Sequence, residues 1–197
     1  MSRRITIGLF VGGKGTRMGG VAKGLLRVPD GTETLIERLV TQCVRAAPEA
    51  TLLLVGQSEA YAGLVLPQLQ DTPAGVGPIG GLRALLLRAH ADASEFALAL
   101  ACDLPFLDDS LISTLLLPFS ELAPAARVPF VGGRLQPLAA AYAPAATLSA
   151  VDRSLALGKH ALMSVLDQLG SQLERVEFDA ERARALRDWD TPEDIGR

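Results

Sequence analysis

"GLFVGGKGTRMGGVAKG", residues 8–24, starts as an apolar run and passes into glycine-rich chain. Beyond Val11 it holds six glycines and three cations, Lys14, Arg17 and Lys23. Residues 4–11, "RITIGLFV", carry β-branched and aromatic side chains on both faces and predict a buried strand. Bare backbone directly after such a strand lets N–H groups approach phosphate oxygens, while cations reach the same charge from the side. A surface loop with incidental cations would show the same composition. The place of this loop, at the carboxyl edge of an expected parallel sheet where ligands gather, favours the phosphate reading.

Two familiar phosphate loops do not fit. A Walker A loop needs Gly-Lys-Ser/Thr after its spacer, and here Lys23 follows Ala22 and precedes Gly24. A dinucleotide fingerprint needs a third glycine where Met18 stands, and an acid near the end of the next strand where a helix is predicted instead. The remaining pattern is Gly-Gly-x-x-x-Arg-Met-Gly with a lysine a few residues on. It suits a triphosphate cleaved between its α and β positions.

Working outward, "TLIERLVTQCVRAA" has helical apolar spacing at 35, 36, 39, 40, 43 and 44, and Thr34 with Glu37 forms a capping-box signature. "TLLLV" (51–55) and "FALALA" (96–101) read as further buried strands. Residues 59–66 suggest a short helix, and 67–71 a short third strand or loop. "GPIGGLRALLLRAHA" predicts a helix with Ile79, Leu82, Leu85, Leu86 and Ala89 on one side. Apolar strands alternating with amphipathic helices imply an α/β fold with a parallel sheet covered on both faces. After a join near 105–125 the character changes. "ARVPFVGGRLQPLAAAY" predicts two β runs around Gly132-Gly133, followed by helices at 145–157 and 160–169, the strand "LERVEF" and a polar tail. One domain over 1–197 is expected, with a nucleotide-binding half (1–105) and a smaller α+β half (106–197).

The chain has 197 residues, enough for one full core, and its net charge of −3 supplies no basic surface for nucleic acid. Cys43 and Cys102 fit neither a disulfide framework nor a zinc site, which points to a reducing cytoplasm. His90 and His160 are isolated and read as surface or cap residues. The N-terminal apolar run ends in Gly and Lys without a small-residue cleavage site, so no signal peptide is expected. The Leu/Ala-rich stretch 111–126 is broken by Pro118, Glu121 and Pro124, so no membrane partner is expected either.

"FVGGKGTRMGG" followed by "AKGLL" resembles the glycine signature of the molybdenum cofactor guanylyltransferases, MobA-like members of the nucleotidyltransferase superfamily with a Rossmann-like, GT-A-type fold. Five more segments resemble the family in order: "DTPAGVGPIGGLRALL", "ALACDLPFL", "GGRLQPLAAAY", "LALGKHALMSVLDQLG" and "WDTPEDI". The resemblance implies a three-layer α/β/α fold and transfer of GMP from GTP to molybdopterin-bound molybdenum, releasing pyrophosphate, with Mg²⁺ as cofactor. It also implies transient contact with proteins that deliver or accept the cofactor.

Residue by residue, the resemblance makes Arg17, Lys23 and Asp103 the catalytic set. Arg17 and Lys23 would neutralise the triphosphate, and Asp103, where the strand 96–101 ends, would hold Mg²⁺. Nucleotide contacts are implied for Phe10, Val11, Gly12, Gly13, Gly15, Lys23, Asp71, Gly77, Pro78, Gly81 and Asp103. For Asp71 a turn role before Thr72-Pro73 is an equal alternative, and Gly77 to Gly81 would also make an ordinary helix start. Gln136, Pro137, Asp188 and Asp190 are the acceptor-side candidates, although a hairpin with a surface Arg134 would look alike. Trp189 either stacks on a pterin or base or anchors the polar tail.

Two departures matter. The tail Asp188-Trp189-Asp190-Thr191-Pro192 has acids where guanylyltransferases carry Asn, a feature of related cytidylyltransferases. It makes Asp190 a second candidate Mg²⁺ ligand and keeps open a cytidylyltransferase acting on molybdopterin or a sugar phosphate. Gln57 stands where the family tends to have Asn. A non-catalytic nucleotide-binding module is the third reading, opposed by the joint presence of Arg17, Lys23 and Asp103.

Overall fold

The computed structural model describes residues 3–12, 22–28, 31–119 and 124–189. Strand β1 (Ile5–Phe10) lies between β2 (Thr51–Val55) and β4 (Phe96–Ala101), parallel to both, with β3 (Gln68–Leu69) parallel at the outer edge of β2. On the other flank of β4, β7 (Ala139–Tyr142) runs antiparallel and is followed by β5 (Ala126–Val131). β6 (Arg134–Leu135) pairs with one part of β5, and β8 (Leu173–Glu177) runs parallel to β5. The order is β3-β2-β1-β4-β7-β5-β6, so a single sheet runs through both halves of the chain.

Strand alternation sorts the core into two layers. Ile7, Leu9, Leu98 and Leu100 face α1 (Leu35–Ala46) and α3 (Asp109–Leu115), where Ile36, Leu39, Leu111 and Ile112 are buried. Phe10, Leu53, Ala97, Ala99 and Tyr142 face α2 (Pro78–Ala91), α4 (Pro144–Ala156) and α5 (Leu162–Leu169). Each fully buried leucine or isoleucine here contributes about 1.5–3 kcal/mol. Small residues set the approach of α2. A Cβ on Gly8 would stand 2.7 Å from Leu85 Cδ2 and 2.8 Å from Val55 Cγ2, so this helix packs against the floor of β1 only because the strand has no side chain there.

The predicted capping box is present. Thr34 N–H donates to Glu37 Oε2 at 2.8 Å and Glu37 N–H to Thr34 Oγ1 at 3.4 Å; the Thr34 N–H, and the Thr34 hydroxyl donating to the same Oε2 at 2.8 Å, hold the Glu37 carboxyl below its ordinary value. Asp108 caps α3 through Leu111 N–H at 2.8 Å. The 59–66 segment forms only a 3₁₀ turn at Glu59–Tyr61. A further short helix, α6 (Ala180–Arg184), follows β8 and is capped by Asp179. His90 is in the last turn of α2 and His160 lies between α4 and α5; both are exposed.

The predicted hairpin holds only in part. β5 and β6 turn at Gly132-Gly133, but the second run breaks at Gln136-Pro137 before β7 begins. Proline has no N–H for a ladder, Gln136 N–H is taken by Pro129 O at 2.9 Å, and Tyr142 Oη donates to Pro137 O at 2.7 Å. The chain therefore leaves the hairpin and inserts β7 between β4 and β5.

One buried cation ties the second half together. Arg127 on β5 donates to the carbonyls of Leu115, Leu117 and Pro118, lies over the Phe119 ring at 5.2 Å, and stands 3.0 Å from Glu174 Oε2. That last contact is one of charge, since Glu174 Oε2 has no aligned hydrogen-bond donor among the described residues. Among the described residues no helix is long and apolar enough to cross a membrane.

Candidate active site

The carboxyl ends of β1, β2 and β4 converge on a cleft of about 330 Å³. Val11 N–H continues the pairing to Val55 O at 3.0 Å, and Cys102 N–H to Phe10 O at 3.2 Å, so the chain leaving each strand is still held in register. Gly56, with φ of +99°, crosses over Gly12; a Cβ there would lie 3.0 Å from the Gly12 backbone. The cleft floor is therefore backbone against backbone, which only glycine allows.

A 3₁₀ turn at Lys23–Leu25 brings Lys23 over the end of β4. Its Nζ stands 2.8 Å from Asp103 Oδ2, with the two side chains 20% and 18% exposed. Opposite, Asp71 follows β3 and packs beside the first turn of α2, where Thr72 N–H donates to Gly80 O at 3.0 Å. A Cβ on Gly81 would lie 2.8 Å from Val55 Cγ1, 3.0 Å from Phe10 Cε1 and 3.2 Å from Asp71 Oδ1. Burial pushes the Asp71 carboxyl above its ordinary value. It also pushes the Cys102 thiol up to about 12, helped by the neighbouring Asp103 charge, and Cys43 to about 12 by burial alone. Neither thiol is a nucleophile at neutral pH.

The structure brings Phe10, Val11, Gly12, Lys23, Asp71, Gly77, Pro78, Gly81 and Asp103 into the wall of this one cleft. Gly13, Gly15 and Arg17, like Lys14, lie outside the described residues. Gln57 is exposed and takes no part in the wall. A second cavity of about 260 Å³ adjoins the first, lined by Gln136, Pro137 and Asp188 with Leu104, Leu162 and Leu186. Ala101, Asp103 and Leu138 belong to both walls. Asp190 lies outside the described residues.

Trp189 is the anchor, not a stacking platform. It is 1% exposed and packs with Val28 and Leu35, and its backbone N–H donates to Asp103 O at 3.0 Å. No face of the indole is left for a ligand. Sequence reasoning missed Ala22, Val55, Ala101 and Cys102 as wall residues. The ends of the predicted strands 51–55 and 96–101 were a signal for Val55, Ala101 and Cys102. Leu138 belongs to the Gln136-Pro137-Leu138 segment expected to line an acceptor pocket, and the inserted β7 brings it into the first wall as well.

A mixed sheet with helices on both faces, and a lysine–carboxylate pair where two cavities meet at its carboxyl edge, define the α/β nucleotide-binding class to which nucleotidyltransferases belong. The family profile described as the MobA-like NTP transferase domain matches residues 9–176. The chain belongs to that family and is an enzyme of nucleotidyltransferase type. It is 41% identical over 105 residues to a "probable molybdenum cofactor guanylyltransferase" of Carboxydothermus hydrogenoformans, covering 53% of this chain and 49% of the relative. That match spans about half the length of the relative. A protein of the same name from Methanothermobacter thermautotrophicus is 27% identical over 203 residues, 99% of each chain. In fold, the chain is similar to the crystal structure of molybdopterin-guanine dinucleotide biosynthesis protein A from Archaeoglobus fulgidus. The TM-score is 0.75 at 20% identity, over 96% of this chain and 94% of that one.

Proposed function

We propose that the protein is a cytoplasmic, Mg²⁺-dependent molybdenum cofactor guanylyltransferase that transfers GMP from GTP to molybdenum-bearing molybdopterin and releases pyrophosphate. The observation that carries this reading is the junction of two cavities at Asp103, with Lys23 held against that carboxylate at 2.8 Å. The names of the relatives supply the substrates.

The residues present fit a magnesium ion. Mg²⁺ takes one or two carboxylates and fills its other positions with water and phosphate oxygens. Asp103 Oδ2 meets Lys23, no described residue donates to its Oδ1, and the side chain reaches both cavities. Asp103 would hold the ion, with Asp190 the second candidate. When bound, the ion neutralises phosphate charge and orients the phosphate oxygens.

The protein's own groups do the rest. Backbone of Phe10 to Gly15 and the first turn of α2 cradle the nucleotide, and Asp71 accepts a donor from it. Lys23 and Arg17 offset the charge that grows on the departing pyrophosphate. Gln136, Pro137 and Asp188 seat the acceptor. An acceptor phosphate oxygen bonds to the α-phosphorus as the bond to the bridging oxygen of the β-phosphate breaks. Bringing two anions into line, with positive charge already fixed at the junction, is the catalytic work.

A cytidylyltransferase is the second reading, favoured by Asp188 in the acceptor-side wall where the guanylyl pattern has Asn. A thermal-shift panel of GTP, CTP, ATP and UTP with Mg²⁺ separates them, since a ligand at a hundred times its Kd stabilises the fold by about 2.7 kcal/mol. GTP is expected to stabilise most. Selective stabilisation by CTP transfers the assignment to the second reading, and indifference to all four removes both.

A further inference from the structure

Tyr61 has no place in the roles above, yet it touches the site from behind. It ends the 3₁₀ turn after β2, and its side chain is 1% exposed. Its hydroxyl accepts the buried Gly24 N–H at 3.1 Å. The fit is close: a Cβ on Gly24 would stand 2.8 Å from Tyr61 Oη and 3.3 Å from Cys102 Cβ. The turn that carries Lys23 is thus pressed between Tyr61 and the end of β4. Gly24 adjoins Lys23 in the chain, and Cys102 adjoins Asp103. The ion pair therefore sits one residue along from the buried contact on both of its strands of chain.

A lysine ammonium on a four-carbon stem finds one geometry only if its backbone is fixed first. Gly24, next to it in the chain, adds conformational freedom that a neighbour must remove. Tyr61 can, because its ring is locked in the core and its hydroxyl has one backbone partner to satisfy. We infer that Tyr61 is a positioning residue for nucleotidyl transfer: its buried hydroxyl takes the Gly24 amide and so holds Lys23 against Asp103 before the triphosphate arrives. This rests on the function proposed above. Charge placed in advance favours the transition state over the bound substrate, so the loss should fall on kcat more than on nucleotide affinity.

Tyr61→Phe removes only the oxygen. With the parent fold retained by circular dichroism, kcat should fall roughly five- to tenfold, the worth of one such bond, with nucleotide Kd held within about twofold. In the ligand-free protein, hydrogen exchange of the Gly24 amide should accelerate roughly tenfold or more as its buried acceptor is lost. In a double-mutant cycle, Tyr61→Phe should cost little once Lys23→Gln is present, because it acts through that side chain. Additive losses in the cycle, or an unchanged kcat with Gly24 still protected, overturn the inference. If Tyr61→Phe does not fold, Gly24→Ala decides instead, and must show the same kcat loss against a steady Kd. Should the parent turn over no nucleotide at all, the functional reading fails, while Gly24 exchange still tests the anchor on its own.

Discussion

Asp103→Asn keeps the shape of the side chain and removes its charge, and the structure assigns the two consequences opposite signs. At 2.8 Å from Lys23 Nζ, the carboxylate gains a gross attraction. It is about 6 kcal/mol at an effective dielectric near 20, and desolvation of both groups offsets most of it. The variant removes one of the partners of Lys23, so a stability loss of about 1–2 kcal/mol follows, or about 2–8 °C in Tm for a chain of this size. That is too little to unfold the protein at assay temperature.

The two functional readouts then separate. Without divalent metal, a triphosphate entering the cleft meets one negative charge fewer, and its affinity should rise by about 1 kcal/mol, roughly fivefold, at low salt. With Mg²⁺ and acceptor present, turnover should fall by roughly 10²–10³, the usual cost of losing a group that fixes charge at the reacting phosphate. Isothermal titration with GTP in EDTA and a pyrophosphate-release assay in Mg²⁺ measure the pair. Turnover kept within threefold of the parent, or metal-free affinity that drops, would show that Asp103 serves the fold and not the reaction.

Asp71→Asn should stabilise the ligand-free protein at neutral pH while weakening nucleotide binding. The folded Asp71 carboxyl titrates above its ordinary value, so the native state holds the proton more tightly than the unfolded chain. The associated stability is present in acid and lost as pH rises through the folded value, and the advantage of the variant should vanish on acidification in urea melts run across pH. Gly81→Ala pushes a methyl group toward Val55, Phe10 and Asp71 and should cost about 1–3 kcal/mol while narrowing the nucleotide cleft, read as a raised GTP Kd alongside a lowered Tm. Trp189→Ala empties the contact with Val28 and Leu35 and should cost about 3–5 kcal/mol by chemical denaturation, whereas a ring held only for ligand stacking would leave stability unchanged.

Much of the first half was legible because its signals are local. The capping box at Thr34 and Glu37 and the unbroken apolar runs at 51–55 and 96–101 each decide their element within a few residues. The cleft was legible for another reason: in a parallel sheet the residues after each strand must share one edge, so the loops after β1 and β4 had to meet. What escaped was non-local. "AAAY" has no strand signature of its own, and only the facing Ala97–Leu100 and the break at Pro137 make it β7. Tyr61 and Arg127 look like any aromatic and any cation until the fold shows the Gly24 amide beside one and the carbonyls closing α3 beside the other.

The inserted β7 also explains why the two cavities share a wall. β4 is the last strand of the parallel half, and β7 runs against it, so β7 begins where β4 ends. Leu138, at the start of β7, and Asp103, just beyond β4, therefore stand side by side at one sheet edge. Ala97, Ala99 and Ala140, small and buried on the same face, let the helices close over this seam without filling its edge. A parallel seventh strand would carry Leu138 to the far edge and leave Asp103 facing one cavity only. The reversal of strand direction between β4 and β7 is thus what puts the two cavities against a single carboxylate.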